Sequence, residues 1–233
     1  MEITGNLATP YIPDLPEGLP RLSVRVTAFI DGHEQFLATC SAQASGSPMP
    51  FRVHLDPLSL DGLEQVTLEA LCTIGLGAEA VVARATQTLA IADVLQGMPL
   101  ELNLDAVDAA AQASQKYPVE PLVFGLSGQI VVPPELRVEA AYLDAHLLLI
   151  QEDGYSNRYA SNLAEHSLYL RNGGAPFSMF LDAASVPEGR QAKLHLGLYD
   201  LERTVLLAGN VVKNLDLSSP PDLSNIVLRK PRR

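Results

Sequence analysis

Apolar side chains recur at every second position near the start of the chain. Leu22, Val24, Val26, Ala28 and Ile30 alternate with Ser23, Arg25, Thr27 and Phe29. This is the period of a strand with one face on a core and the other toward water. Asp31-Gly32 follows as a hairpin signal, because a two-residue turn between twisted strands needs positive φ at both positions. A return strand over 36–43 runs into the breaker Ser45-Gly46-Ser47-Pro48. Further strands are predicted over 51–55, 65–74, 80–89 and 100–104, with a helical turn at 91–95 before Gly97-Met98-Pro99.

The pattern then starts again. A strand over 141–151 meets the turn Asp153-Gly154, and Asn172-Gly173-Gly174 breaks the chain before Pro176-Phe177. Ala192, Leu194, Leu196 and Leu198 make one face wholly apolar, with Lys193, His195 and Tyr199 opposite, as in an antiparallel sheet covered on one side. The halves also match residue by residue. The segment from Pro50-Phe51 to Asp56 meets Pro176-Phe177 to Asp182 at an offset of 126, and Gln65-Val66-Thr67-Leu68 meets Gln191-Ala192-Lys193-Leu194 at the same offset. Val81-Val82-Ala83 meets Leu206-Leu207-Ala208 at 125, Leu100 and Leu102 meet Ile226 and Leu228 at 126, and Thr4-Gly5-Asn6-Leu7 meets Ser127-Gly128-Gln129-Ile130 at 123. So small a drift in offset marks an internal duplication.

These elements predict an all-β protein of two tandem antiparallel β-sandwich domains, Greek-key or immunoglobulin-like. Their expected bounds are 1–104 and 122–233, joined by a linker over 105–121. Within the linker, the Ala-rich stretch 105–115 predicts about three helical turns, and Lys116-Tyr117-Pro118-Val119-Glu120-Pro121 an extended connection.

Composition narrows the function. Hydrophobic residues are 47% and charged residues only 18% of the 233 positions, with no Trp. The formal net charge is −11. Residues 1–104 hold four Arg and no Lys against twelve acids. A nucleic-acid partner needs clustered basic residues, so that class is excluded. The basic tail Arg229, Lys230, Arg232, Arg233 reads as a solvated terminus. No apolar run approaches the roughly 20 residues of a membrane span, and the start Met1-Glu2-Ile3-Thr4-Gly5 is not a signal peptide. The expectation is therefore a cytoplasmic chain, or a mature form from which a signal peptide was removed.

Candidate chemistry is sparse. Cys40 and Cys72 both lie in the first half, and their counterparts are His166 and Leu198, so a bridge is no part of the repeated design. Cys72 continues the alternate positions Val66, Leu68 and Ala70, where a buried thiol serves as a small hydrophobe. Whether the two are bridged stays open at this level. The histidines His33, His54, His146, His166 and His195 show no zinc-ligand spacing. His33 falls in a hairpin tip, and His54 and His195 are expected to face away from the core. Asp56, Asp61, Asp182 and Glu188 near turns read as local caps or solvated groups. Asp31, Asp61 and Asp153 adjoin Gly for backbone reasons. No nucleophile elbow, phosphate loop or dinucleotide fingerprint occurs, and Gly125-Leu126-Ser127-Gly128 reads as a strand. No catalytic, cofactor-binding or metal residues are assigned, and no enzyme is expected. The repeated Pro-Phe reads as a strand entry with a core anchor.

The first copy contains Gly5, then Leu15-Pro16-Glu17-Gly18-Leu19-Pro20-Arg21-Leu22-Ser23-Val24-Arg25-Val26, and later Pro48-Met49-Pro50-Phe51-Arg52-Val53-His54-Leu55-Asp56-Pro57. This resembles the YbaY-like and YscW-like lipoprotein domain, with its glycine-bearing first strand, Leu-Pro-x-Gly-x-x-Leu-x-Val strand and Pro-x-Pro-Phe-x-x-x-x-Asp segment. The second copy keeps Gly128, Val132-Pro133-Pro134 and Pro176-Phe177 but lacks the Leu-Pro-x-Gly form. The resemblance implies a bacterial envelope protein with a β-sandwich fold, in the periplasm or at the outer membrane. Some members are lipoproteins that pilot or chaperone a secretin ring of type III secretion. This chain departs in having two copies and no lipidated cysteine in a signal peptide, and piloting depends on the lipid anchor. Membrane association is implied only if such an anchor was removed.

Three function classes follow. The first is a non-enzymatic protein-binding or chaperone-like module whose partner is a protein, such as a secretion-system component. The second is a carbohydrate- or small-ligand-binding sandwich, with Tyr155, Tyr159 and Tyr169 as stacking candidates. An enzyme with a site between the two units is the third.

Overall fold

The computed structural model of the chain describes residues 1–9, 12–13, 19–74, 81–107, 115–116, 119–152, 158–171, 173–186, 192–217 and 222–231. Among them the fold is all-β, apart from one six-residue α-helix and short 3-10 turns.

In the first half the strands are β1 (Glu2–Ala8), β2 (Ile12–Pro13), β3 (Arg21–Ile30), β4 (His33–Gln43), β5 (Met49–His54), β6 (Gln65–Thr73), β7 (Val81–Ala90) and β8 (Leu100–Asn103). The helix α1 (Ile91–Gln96) sits between β7 and β8. Two short strands follow, β9 (Asp105–Ala106) and β10 (Gln115–Lys116). The second half supplies β11 (Val123–Val131), β12 (Ala141–Glu152), β13 (Arg158–Leu170), β14 (Gly174–Asp182), β15 (Ala192–Tyr199), β16 (Leu206–Leu215) and β17 (Ile226–Val227).

The two halves repeat one strand order. Three-stranded sheets run β5-β1-β8 and β14-β11-β17, each with one parallel pair, β1 with β8 and β11 with β17. The remaining strands form β4-β3-β6-β7 and β13-β12-β15-β16. The expected hairpin is present: Asp31 and Gly32 have φ of 51° and 82° between β3 and β4, the conformation such a turn demands. Pro50 and Pro176 lie on β5 and β14, the outer strands of the three-stranded sheets, where a missing N–H breaks no interior ladder. Gly5 and its counterpart Gly128 lie on the middle strands. A Cβ on Gly5 would stand 2.1 Å from the Leu100 carbonyl oxygen, and one on Gly128 would stand 2.5 Å from that of Leu223. Both positions therefore require glycine for a close backbone approach.

The alternation read from the sequence sorts the faces. Leu22, Val24, Val26, Val66, Leu68, Ala70 and Cys72 are buried under the first half, and Ala192, Leu194, Leu196 and Leu198 under the second. Phe51 and Phe177 anchor the two interiors.

The halves are continuous with each other. Among the described residues nine strands form one sheet, β16-β15-β12-β13-β4-β3-β6-β7-β9. The join is the antiparallel ladder of β4 with β13, from Ala38↔Leu168 to Ala42↔Ala164. At its centre Cys40 faces His166, its own counterpart at offset 126, so the halves meet about an approximate two-fold axis.

Several expectations change. Asp105–Ala106 is a strand that pairs with β7, and Gln115–Lys116 pairs with β2, so the ends of the predicted linker helix are strand. Residues 108–114 of that stretch lie outside the described residues, as do Leu15–Gly18 of the family motif, Asp153-Gly154, Tyr155, Asn172 and Glu188. The final alignment also shifts. Leu7 pairs with Leu102, and its counterpart Ile130 pairs with Ile226, which matches Ile226 to Leu102 rather than Leu100. Sheet register overrides the apolar pattern here, since residues two apart look alike. Finally, Cys40 pairs with Val24 on one side of β3 and Cys72 with Leu22 on the other. Two strand spacings, about 9.6 Å, exceed a disulfide's reach of about 7 Å. Both thiols are free and buried, and burial pushes each up to about 12.

Candidate functional site

The β4–β13 join has two sides. On the open side of the nine-stranded sheet, cross-strand pairing lines up Arg25, Thr39, Ser167 and Asp144. Beside them is an aromatic row made from both halves. Phe36 lies 5.6 Å from Tyr142, and Tyr142 lies 5.6 Å from Tyr169, ring centre to ring centre. Arg203 covers the row, its guanidinium carbon 4.2 Å from the Tyr142 ring centre and 4.8 Å from that of Phe36. Arg25 approaches Phe36 at 5.9 Å.

The turn between β15 and β16 aims Arg203 there. Arg203 takes φ of 56°, and Asp200 pins the turn by accepting from the backbone N–H of Thr204 and Val205 and from the Thr204 hydroxyl. Those bonds, Val205's first, hold the Asp200 carboxyl below its ordinary value. Arg203 Nη2 donates to Ser167 Oγ at 2.9 Å and lies 3.9 Å from Asp144, while the Ser167 hydroxyl donates to Asp144. Burial raises the Tyr142 phenol, against the pull of Arg203. With its side chain 40% exposed, Arg203 is both fixed in place and open to solvent.

A second polar group lies further along the join on the same face. Arg21 Nη1 donates to Ser41 Oγ at 2.7 Å, and Nη2 donates to the Asn162 carbonyl of the other half. Burial lowers the Arg21 guanidinium, offset in part by Glu165. Glu165 accepts from Asn162 and lies 3.7 Å from His146 Nδ1. His195 pairs with His146 across the strands, and burial lowers its imidazole, helped by Lys193 and His146.

The covered side of the join sets buried polar groups beside the apolar ladder residues Ala38, Ala42, Ala164 and Leu168. Asp56 accepts from Leu58 N–H in its own 3-10 turn and from Arg171 N–H of the other half. Asp182 mirrors it, accepting from Ala184 N–H and, across the join, from the N–H and hydroxyl of Ser45. Both carboxylates are buried, so the expectation of a local cap holds and a second role is added. His54 and His166 meet edge to face at 5.4 Å. His54 N–H donates to His166 Nε2 at 3.3 Å, and His54 Nε2 lies 3.0 Å from Ser178 Oγ. His54 was expected to face away from the core. It does leave its own half's interior, but the other half covers it, leaving it 7% exposed. Burial lowers His54 to about 4 and His166 to about 3.

Ser178, His54 and Glu2 invite comparison with a nucleophile, base and orienter, Glu2 lying 3.8 Å from His54 Nδ1. The serine is 6% exposed, and the crevice it lines holds about 20 Å³, room for one water. Among the described residues no three His, Cys, Asp or Glu side chains gather to hold a metal ion. No helix among them is long and apolar enough to cross a membrane.

The sequence candidates scatter. Tyr169 joins the aromatic row, the Tyr159 side chain is outside the described residues, His33 is exposed at the hairpin, and Asp61 closes the 3-10 turn before Gly62. Nothing in the spacing of Phe36, Tyr142 and Arg203 announces them in the sequence. The match of Asp56 with Asp182, by contrast, was a usable signal for a paired role.

No protein-family model and no curated protein matches the chain. Among solved structures, a "putative adhesin" of Bacteroides ovatus aligns over 99% of this chain and 93% of its own, at 13% identity and TM-score 0.24. A DUF4785 family protein of Legionella pneumophila aligns over 93% of this chain and 57% of its own, at 14% identity and TM-score 0.26. At such scores neither protein's role transfers to this one.

Proposed function

We propose that the chain is a non-enzymatic protein-binding module of two tandem YbaY/YscW-type sandwich units, 1–104 and 122–233, serving a chaperone- or pilot-like role in the bacterial envelope. The observation that carries the reading is the cluster of half-buried Phe36, Tyr142 and Tyr169 under the exposed Arg203, assembled from both halves. Aromatic side chains and arginine are the residues that dominate binding energy at protein interfaces. Phe29, on the same outward alternation and 74% exposed, extends the surface.

The test is crosslinking in native cells, with fractionation to show whether the chain travels with the envelope. A protein partner is expected with the native chain, and its recovery is expected to fall at least tenfold with Tyr142→Ala plus Arg203→Ala. Failure to capture any partner, or equal capture by the variant, counts against the proposal. A serine-directed fluorophosphonate is expected to leave Ser178 unlabelled, and rapid labelling would reopen the enzyme reading.

A second reading, carbohydrate or small-ligand binding, is favoured by the same row of rings, since aromatic faces stack on sugars. A glycan array carrying the native chain separates the two, and a signal lost with Tyr142→Ala would favour the sugar.

A further inference from the structure

We propose that the join between the halves is an acid-opened joint: in mildly acidic solution β4 and β13 part while each half keeps its own apolar interior. The geometry singles out this place. Aliphatic side chains pack around Phe51 in one half and Phe177 in the other, within one continuous apolar cluster. Across the join run a five-pair ladder, two reciprocal aspartate contacts, the bond from Arg21 to Asn162, packing of β5 on β14 and a buried imidazole pair. Protons weaken the imidazole pair of that connection, whereas they leave apolar packing untouched.

The surroundings of the two rings oppose charge. Facing His54 are Glu2 on β1, Arg52 on β5, the terminal amine of Met1 and the Ser178 hydroxyl on β14. Only Glu2 favours an imidazolium. Facing His166 are the His54 ring and, across the ladder, the Cys40 thiol. Asp56 and Asp182 accept across the join beyond them, and Arg21 and Glu165 lie on the open side. His166 Nε2 accepts from a β5 N–H, so a proton on that nitrogen also leaves a buried backbone donor unpaired.

Once parted, both rings are solvated and return to an ordinary value near 6.5. Opening therefore takes up protons below that pH. From pH 7 to pH 5 the opening constant should rise roughly 20-fold per histidine and several hundredfold for the pair.

The experiment is hydrogen exchange on the full chain at the two pH values, corrected for intrinsic exchange. Protection over 38–42 and 164–168 is expected to fall several hundredfold, while β1 and β11 keep theirs. No selective loss, or loss in step with β1 and β11, overturns the proposal. The double variant His54→Gln plus His166→Gln is expected to flatten the response, and an unchanged response also overturns it. Should that variant fail to fold, a histidine NMR titration of the native chain decides. Both rings are expected to stay neutral at pH 5.5 in the closed form, and titration of either near 6.5 without opening sinks the idea.

Discussion

The join between the halves adds buried polar groups to the apolar packing that fills their interiors. Leu, Val, Ala and Phe fill the interiors, whereas His54, His166, Asp56, Asp182, Ser178 and Ser41 are buried at or beside the join. Apolar packing is non-directional and tolerates small shifts, while hydrogen-bonded polar groups demand one geometry. The interiors supply stability, and the join sets how the two halves are placed. The approximate two-fold axis makes this economical, because each contact is made twice, as Asp56 to Arg171 and Asp182 to Ser45.

The largest effect should come from an interior. Phe177→Ala is expected to cost about 3–5 kcal/mol, read from urea denaturation, and Phe51→Ala a similar amount. A loss below about 1 kcal/mol for both would erase the distinction between interior and join.

The next effect is the pH dependence of global stability. His54 and His166 are held at about 4 and about 3 in the folded chain, below the unfolded value near 6.5. The unfolded chain therefore binds more protons below pH 6.5. The contribution is fully present above that pH and is lost as pH falls toward the folded values. From pH 7 to 5 the loss should reach at most about 2 kcal/mol per histidine. Denaturation curves that superimpose at the two pH values would show that the rings do not carry the join.

Asp56→Ala and Asp182→Ala should each cost about 1–3 kcal/mol by stranding buried donors. In a double-mutant cycle the two should couple, since they brace one connection. Strict additivity would argue that each acts only as the cap of its own turn.

The smallest change in stability is expected on the open face. Arg203→Ala should cost under about 1 kcal/mol, because its ion pair with Asp144 is partly exposed, yet it should weaken partner capture. A large loss of stability instead would make the cluster structural.

Much of this fold was legible from particular residues. The alternation from Leu22 to Ala28 placed the core face, Asp31-Gly32 placed a hairpin, and the repeated Pro-Phe placed two strands with their core anchors. Near Leu100 the same reasoning slipped by two positions, since a pattern of period two cannot tell equivalent registers apart. The linker misled for another reason. Alanine favours helix in isolation, but at Asp105–Ala106 the edge of β7 offers a partner, and tertiary pairing outweighs propensity. The binding surface was hardly legible. Phe36 and Tyr142 are 106 positions apart, and their contact exists only because β4 pairs with β13.

The sequence by itself determined the repeat, the all-β class and the sorting of faces, because these follow from local periodicity and turn chemistry. Only the tertiary structure decided that the two copies share one sheet. That choice turned His54 from an outward residue into a buried one, set Asp56 and Asp182 across the join, and laid Arg203 over an aromatic row. Each is a contact between residues far apart in the chain, and a one-dimensional pattern holds no record of which strand edges meet.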